Sequence, residues 1–148
     1  MMIRTMLIDD DECMVDLLKR EFKKYPEIDV LIEWHEDLEP NIHFDHDVYI
    51  IDNRIRGIQK CLEIISLIRE QVNNSHIFVM SGHTDFELLK KLFKLNIDGF
   101  IDKDSLDISG VIELINYQKS KNDRLNVLAS KLEKATVGLE ALGFISIA

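Results

Sequence analysis

The sequence predicts an α/β chain built on a doubly wound parallel sheet of five strands. Three observations carry this. Short apolar runs alternate with longer segments of helical periodicity. The short runs are near-continuous rather than alternating, as strands buried on both faces must be. The chain has 148 residues, room for one domain that buries roughly 70% of its unfolded surface.

Taken in order, Ile3 to Ile8 is a strand that stops at Asp9-Asp10-Asp11-Glu12. Val15, Leu17, Leu18 and Phe22 recur at helical spacing and predict a helix over about 12–25, ended by Pro26. Ile28 to Ile32 is a second strand, and Val48 to Ile51 a third that runs into Asp52. Between them only Glu36 to His43, with Pro40 inside, can hold a helix, so that helix is short or irregular. Leu62, Ile64, Ile65 and Ile68 predict a helix over about 58–71. Ile77 to Met80 is a fourth strand, closed by Ser81-Gly82, and Phe86, Leu88, Leu89, Leu92 and Phe93 mark a helix over about 84–95. Gly99-Phe100-Ile101 belongs to a fifth strand ending at Asp102-Lys103, and a last helical pattern starts near Leu106.

The formal net charge is -9, and it is unevenly placed. Residues 1–52 hold 15 Asp/Glu against 5 Lys/Arg, a balance of -10, and the remainder is nearly neutral. Such a chain repels nucleic acid, which argues against direct DNA or RNA binding. No apolar run reaches the ~18 residues of a membrane span, and the apolar stretch before Asp9 is too short for a signal peptide. Cys13 and Cys61 cannot form a disulfide framework and read as inert thiols on helices, in keeping with a cytoplasmic location. Surplus acid can be mere solubility; the question is whether some of it converges.

Strand ends answer that. The first strand delivers Asp9 and Asp10, the third Asp52, the fourth Ser81 and the fifth Lys103. Ligands of open α/β sheets bind outside the carboxyl ends of the strands. Three converging carboxylates relieve their repulsion by taking up protons or a cation. Hard oxygen ligands of this kind suit Mg²⁺, which keeps waters and joins phosphates. The lysine ammonium suits phosphate oxygens, the serine hydroxyl gives one directed hydrogen bond, and an aspartate can accept a phosphoryl group as an acyl phosphate. Taken singly, Asp9-Asp10 could equally cap the first helix, Ser81 could be a turn hydroxyl and Phe100 plain core. His43 and His46, beside Asp45 and Asp47, have no metal-ligand spacing and are expected to be solvated loop residues. Lys90, Lys91 and Lys94 are a solvated helix face or a surface for an acidic partner.

Four motifs in this order resemble the receiver domain of bacterial two-component response regulators, over about residues 2–120. They are Leu7-Ile8-Asp9-Asp10-Asp11, Tyr49-Ile50-Ile51-Asp52, Val79-Met80-Ser81-Gly82-His83-Thr84-Asp85 and Gly99-Phe100-Ile101-Asp102-Lys103. The resemblance implies a flavodoxin-like sheet of order 2-1-3-4-5. It implies that Asp52 is the phosphoacceptor for a histidine kinase or phosphotransfer protein. Asp10 and Asp52 would hold Mg²⁺, with Asp9 close by and the Arg54 backbone carbonyl as a further ligand. Lys103 would pair with Asp52 and then with phosphate, Ser81 would bond the phosphate, and Phe100 would turn inward. The face of the fourth helix, fifth strand and fifth helix would carry the output, with dimerisation as one use of it. Arg54 and His83 match positions that tune dephosphorylation. Such a domain is not an enzyme beyond its own phosphotransfer and autodephosphorylation. Two other readings remain: a degenerate receiver that interacts without phosphorylation, and a small aspartate-nucleophile phosphatase, against which the lack of a cap domain argues.

This chain departs from the family pattern at three points. Arg56 stands where a proline is usual, four residues after Asp52; Gly57 comes early; and Asp104 replaces the proline that usually follows the lysine. These put the loop geometry near Arg54 in question. Residues 121–148 exceed a receiver and read as a helical extension for dimerisation, a signalling stalk or the start of an output domain. Leu125, Leu128, Leu132, Ala135, Leu139 and Leu142 follow a 3-4-3-4-3 seam, the a/d pattern of a coiled coil, which Gly138 and Gly143 weaken at its far end. The same helix could instead pack back on the domain. The apolar tail from Phe144 has no account.

Overall fold

The computed structural model describes residues 2–35, 44–72, 74–82 and 86–144. The helix expected between Glu36 and His43 therefore lies outside the described residues. The chain divides into two compact units, Met1–Gly110 and Val111–Ala148.

In the first unit the elements are β1 (Met2–Ile8), α1 (Cys13–Phe22), β2 (Asp29–His35), β3 (Val48–Asp52), β4 (Arg54–Ile55), β5 (Ile58–Gln59), α2 (Cys61–Gln71), β6 (His76–Ser81), α3 (Phe86–Lys94) and β7 (Gly99–Asp102). Five strands form one parallel sheet in the order β2-β1-β3-β6-β7. With the small β4–β5 hairpin set aside, that is the expected 2-1-3-4-5 order. Every residue of β3 is buried, as is every residue of β6 after His76. Their unbroken apolar runs are explained by that burial on both faces. Ile51, Ile77 and Val79 are fully buried, and α2 and α3 cover them with Ile64, Ile65, Ile68, Leu88 and Leu92. Gly99 sits where an added Cβ would lie 3.1 Å from the Phe78 ring, so a side chain there would require that ring to shift as β7 packs beside β6.

Two expectations need correction. The helix read over 58–71 begins only at Cys61. The preceding residues form an antiparallel hairpin pairing Arg54 with Gln59 and Ile55 with Ile58. Its two central residues have positive φ, 53° at Arg56 and 74° at Gly57, the requirement of a type I′ turn that matches strand twist. Ile55 plugs this hairpin into the core at 0% exposure, while Ile58 is open to solvent.

His46, expected in solvent, is buried. Its ring meets Tyr49 edge-on at 5.7 Å, and its backbone N–H donates to the Tyr49 hydroxyl at 3.2 Å. The ring nitrogens face Glu33 at 3.1 Å and Asp45 at 3.5 Å. Arg4 joins those same two carboxylates at 2.9 and 2.6 Å. A polar ring can be buried here because carboxylates flank it on both sides. His43 lies outside the described residues.

The helix α4 (Ser109–Ala141) runs 33 residues, about 50 Å at ~1.5 Å per residue. Leu125, Leu128, Leu132 and Leu139 are exposed along it, and Leu142, just past its end, is exposed too. Among the described residues no helix is long and apolar enough to cross a membrane.

Candidate functional site

The carboxyl ends of β1, β3, β6 and β7 lie side by side, because the parallel register pairs Ile8 with Ile51, Asp52 with Met80 and Ser81 with Asp102. Each chain end then turns away through a polar residue. After β1, the Asp9 N–H donates to the His35 carbonyl at 3.0 Å, and the Trp34 indole N–H donates to the Asp9 carbonyl at 2.8 Å. Asp9 Oδ1 accepts the Asp11 N–H at 2.9 Å, and Asp11 Oδ1 accepts the Cys13 N–H at 3.0 Å. These two bonds step the chain from strand into α1 and satisfy one of its orphan donors. Asp9 Oδ2 is left fully buried without a hydrogen-bond partner. It lies 3.4 Å from Lys103 Nζ, near enough for charge attraction only.

Asp52 closes β3 and is buried, with Lys103 Nζ 3.0 Å from its Oδ2 and the Arg54 N–H 3.5 Å from its Oδ1. Lys103 is aimed by its own backbone, whose N–H donates to the Ser81 carbonyl at 3.2 Å. Asp10 is exposed and accepts the Arg56 N–H at 2.8 Å on Oδ2. One carboxylate oxygen each from Asp9, Asp10 and Asp52 falls within a group spanning at most 4.8 Å, and no other such group occurs among the described residues.

The electrostatics follow from burial. Burial pushes the Asp9 carboxyl up to about 7; the Asp11 N–H opposes this, the Asp52 charge adds to it and Lys103 opposes it. Asp10 is held below the usual carboxylate range, chiefly by the Arg56 N–H. Burial by itself would lower Lys103, but its hydrogen bond and charge attraction to Asp52, and then Asp9, outweigh that and raise it. Three acids thus face one ammonium, and a buried carboxylate oxygen lacks a donor. That is the donor set of a hard divalent cation with oxygen ligands, and Mg²⁺ fits it.

The site therefore brings together Asp9, Asp10, Asp52 and Lys103, with Ser81 on the adjoining strand end. Arg54 is exposed on β4. Phe100 is half-buried on β7, packed against the core and meeting the exposed Phe93 edge-on at 6.1 Å. His83 lies outside the described residues. Sequence reasoning missed three supporting residues. Trp34 holds the turn at Asp9. Arg56 reaches Asp10 through its backbone. Buried Asn53 donates its N–H to Met80 at 2.9 Å and accepts on Oδ1 from Gln59 and Cys61, at 3.3 and 3.2 Å. Only Asn53 left a signal, a polar residue directly after the Asp52 strand end.

A family model for the response regulator receiver domain matches residues 5–116. The chain is similar in structure to a response regulator receiver protein from Pseudoalteromonas atlantica, at 15% identity and a TM-score of 0.62, covering 78% of this chain and 98% of that one. It is similar to the isolated receiver (REC) domain of RcsB from Salmonella enterica serovar Typhimurium, solved with a beryllium fluoride phosphomimetic. That match has 16% identity and a TM-score of 0.60, and covers 79% of this chain and 88% of that one. A third similar structure is a yeast Spc42 trimeric coiled coil fused to another solved structure, at 12% identity and a TM-score of 0.62, covering 95% of this chain and 97% of that one. No curated protein sequence matches the chain.

Proposed function

The chain belongs to the response regulator receiver domain family, and on that premise we propose that it accepts a phosphoryl group onto Asp52 from a histidine kinase or phosphotransfer protein and thereby switches a protein-interaction surface. The observation that carries this reading is the Lys103 ammonium 3.0 Å from Asp52 within the three-carboxylate cluster.

An Asp52 oxygen attacks phosphorus in line, the bond from phosphorus to the donor's imidazole nitrogen breaks, and an acyl phosphate forms on Asp52. Asp9, Asp10, Asp52 and the Arg54 carbonyl would hold Mg²⁺, which when bound supplies charge neutralisation at the phosphoryl oxygens. Lys103 pairs with Asp52 and then turns its ammonium to a phosphate oxygen. The Ser81 hydroxyl donates to a second phosphate oxygen. Movement of Ser81 draws Phe100 inward from its edge contact with Phe93 and changes the surface around α3 and β7. Arg54 and His83 set the lifetime of the acyl phosphate. The work is signalling in the cytoplasm, not turnover of free substrates.

The extension from about residue 121 supports a second reading of partners, a homodimer through α4. In the seam's heptad, Arg124 and Lys131 take g positions while Ala129 and Thr136 take e positions. An antiparallel pair would set g against g, cation facing cation; a parallel pair sets g against neutral e. The fused trimeric coiled coil in one similar structure is a property of that protein, and its match along 95% of this chain is in keeping with a long terminal helix.

The test is intact mass after incubation with a small acyl phosphate donor. One phosphoryl adduct is expected with Mg²⁺, and none with EDTA or in Asp52→Asn. A folded wild type that takes no adduct would favour the unphosphorylated interaction module, and release of phosphate from many free substrates would favour a phosphatase.

A further inference from the structure

The β4–β5 hairpin spans the gap between two strand ends of the site. At its base, Gln59 and Cys61 converge on the Asn53 side-chain oxygen, and Asn53 is the residue after Asp52. In its middle, Ile55 is locked in the core. At its tip, the Arg56 N–H donates to Asp10 Oδ2 at 2.8 Å. Asp10 and Asp52 are 42 positions apart in sequence, yet this short hairpin ties one to the other. Asp10 is exposed. An exposed side chain has free rotamers to lose on gathering around a cation, whereas a carboxylate already held by a donor does not.

We propose that the hairpin is a strap that positions Asp10 for the cation, and that the Arg56 backbone N–H is the group that holds it. The inference rests on the Mg²⁺ site proposed above. Two backbone properties are required: an N–H at residue 56, and a positive φ that turns it toward Asp10. Proline supplies neither, since its ring removes the N–H and fixes φ near about -65°. Glycine supplies both without steric cost. Where the family resemblance puts proline, this contact cannot form, so the departure at Arg56 is what allows it.

The test compares wild type, Arg56→Gly and Arg56→Pro by Mg²⁺ titration. The readout is fluorescence of Trp34, the single tryptophan, whose indole N–H holds the Asp9 carbonyl. Arg56→Gly is expected to bind within about twofold of wild type. Arg56→Pro is expected to lose about 10–100-fold, the usual effect of removing a group that orients a metal ligand. Melting in EDTA reports whether each variant folds. A second arm needs no substitution in the hairpin: the Arg56 amide should exchange slowly with solvent in wild type and lose that protection in Asp10→Ala, while the Asn53 amide, bonded to Met80, keeps its own. Wild-type affinity in Arg56→Pro, an equal loss in Arg56→Gly, or an Arg56 amide indifferent to Asp10→Ala would each overturn the strap. A wild type that binds no Mg²⁺ would overturn the cation site itself, and the strap with it.

Discussion

Replacing Asp9 by asparagine should stabilise the metal-free protein, although Asp9 is a completely buried residue of the site. The wild-type carboxyl rises from an ordinary 3.8 to about 7 through burial. Between those values the folded state holds more protons than the unfolded state, so stability falls as pH rises from about 4 to about 7. Above about 7 the full penalty is present, with a ceiling of ~4 kcal/mol at ~1.4 kcal/mol per pH unit. Asp9→Asn removes the charge and keeps the oxygen that accepts the Asp11 N–H. Lys103, 3.4 Å away, loses one of its two carboxylate partners, which returns part of the gain. The net expectation in EDTA near pH 8 is a gain of ~1–3 kcal/mol, measured by urea unfolding. Near pH 5 most of the gain should vanish, because the wild-type group is protonated there. Saturating Mg²⁺ should shrink the variant's lead: at a hundredfold excess over Kd it adds ~2.7 kcal/mol to a wild type that binds it, and less to the variant. Loss of more than about 1 kcal/mol in Asp9→Asn near pH 8 without metal would refute the reasoning.

Two further expectations rest on other parts of the chain. Asp98 accepts the Ile77 N–H at 2.7 Å and lies near His76 and Arg69. Burial opposes its ionisation, but the His76, Ile77 and Arg69 contacts outweigh it and hold the carboxyl below its ordinary value. Its stabilisation is therefore present above the unfolded value of about 3.9 and lost as pH falls through the folded value; Asp98→Ala should cost ~1–3 kcal/mol at neutral pH and progressively less in acid, read by urea melts across pH. Removing residues after Lys119 should convert a dimer to a monomer in sedimentation equilibrium, and a full chain already monomeric at high concentration would remove the α4 pairing.

Sequence made the sheet legible because its strands are doubly buried: Val48 to Ile51 and Ile77 to Met80 have no polar interruption, so each run marks its own ends. Those ends marked the site as well, since Asp9, Asp52, Ser81 and Lys103 each stand where an apolar run stops. The hairpin was illegible for a specific reason. Its turn needs positive φ at two positions, and Arg56 is not a residue whose chemistry announces that conformation. The helix expected over about 58–71 takes in only the hairpin's second strand, Ile58–Gln59, and residues 54–57 read as a loop. His46 was misplaced because its burial depends on Glu33, Asp45 and Tyr49 meeting across three chain segments, which no local pattern encodes. Backbone donors such as Arg56 N–H leave no trace in side-chain identity.

The central claim is that Asp52 carries the phosphoryl group. Borohydride reduction of the protein after exposure to a small acyl phosphate and Mg²⁺ converts an acyl phosphate carboxyl to an alcohol, leaving homoserine at that position. Peptide sequencing by mass spectrometry should find homoserine at position 52 and at no other aspartate. Homoserine at Asp9 or Asp10, or none in a folded, Mg²⁺-bound protein, would contradict the account.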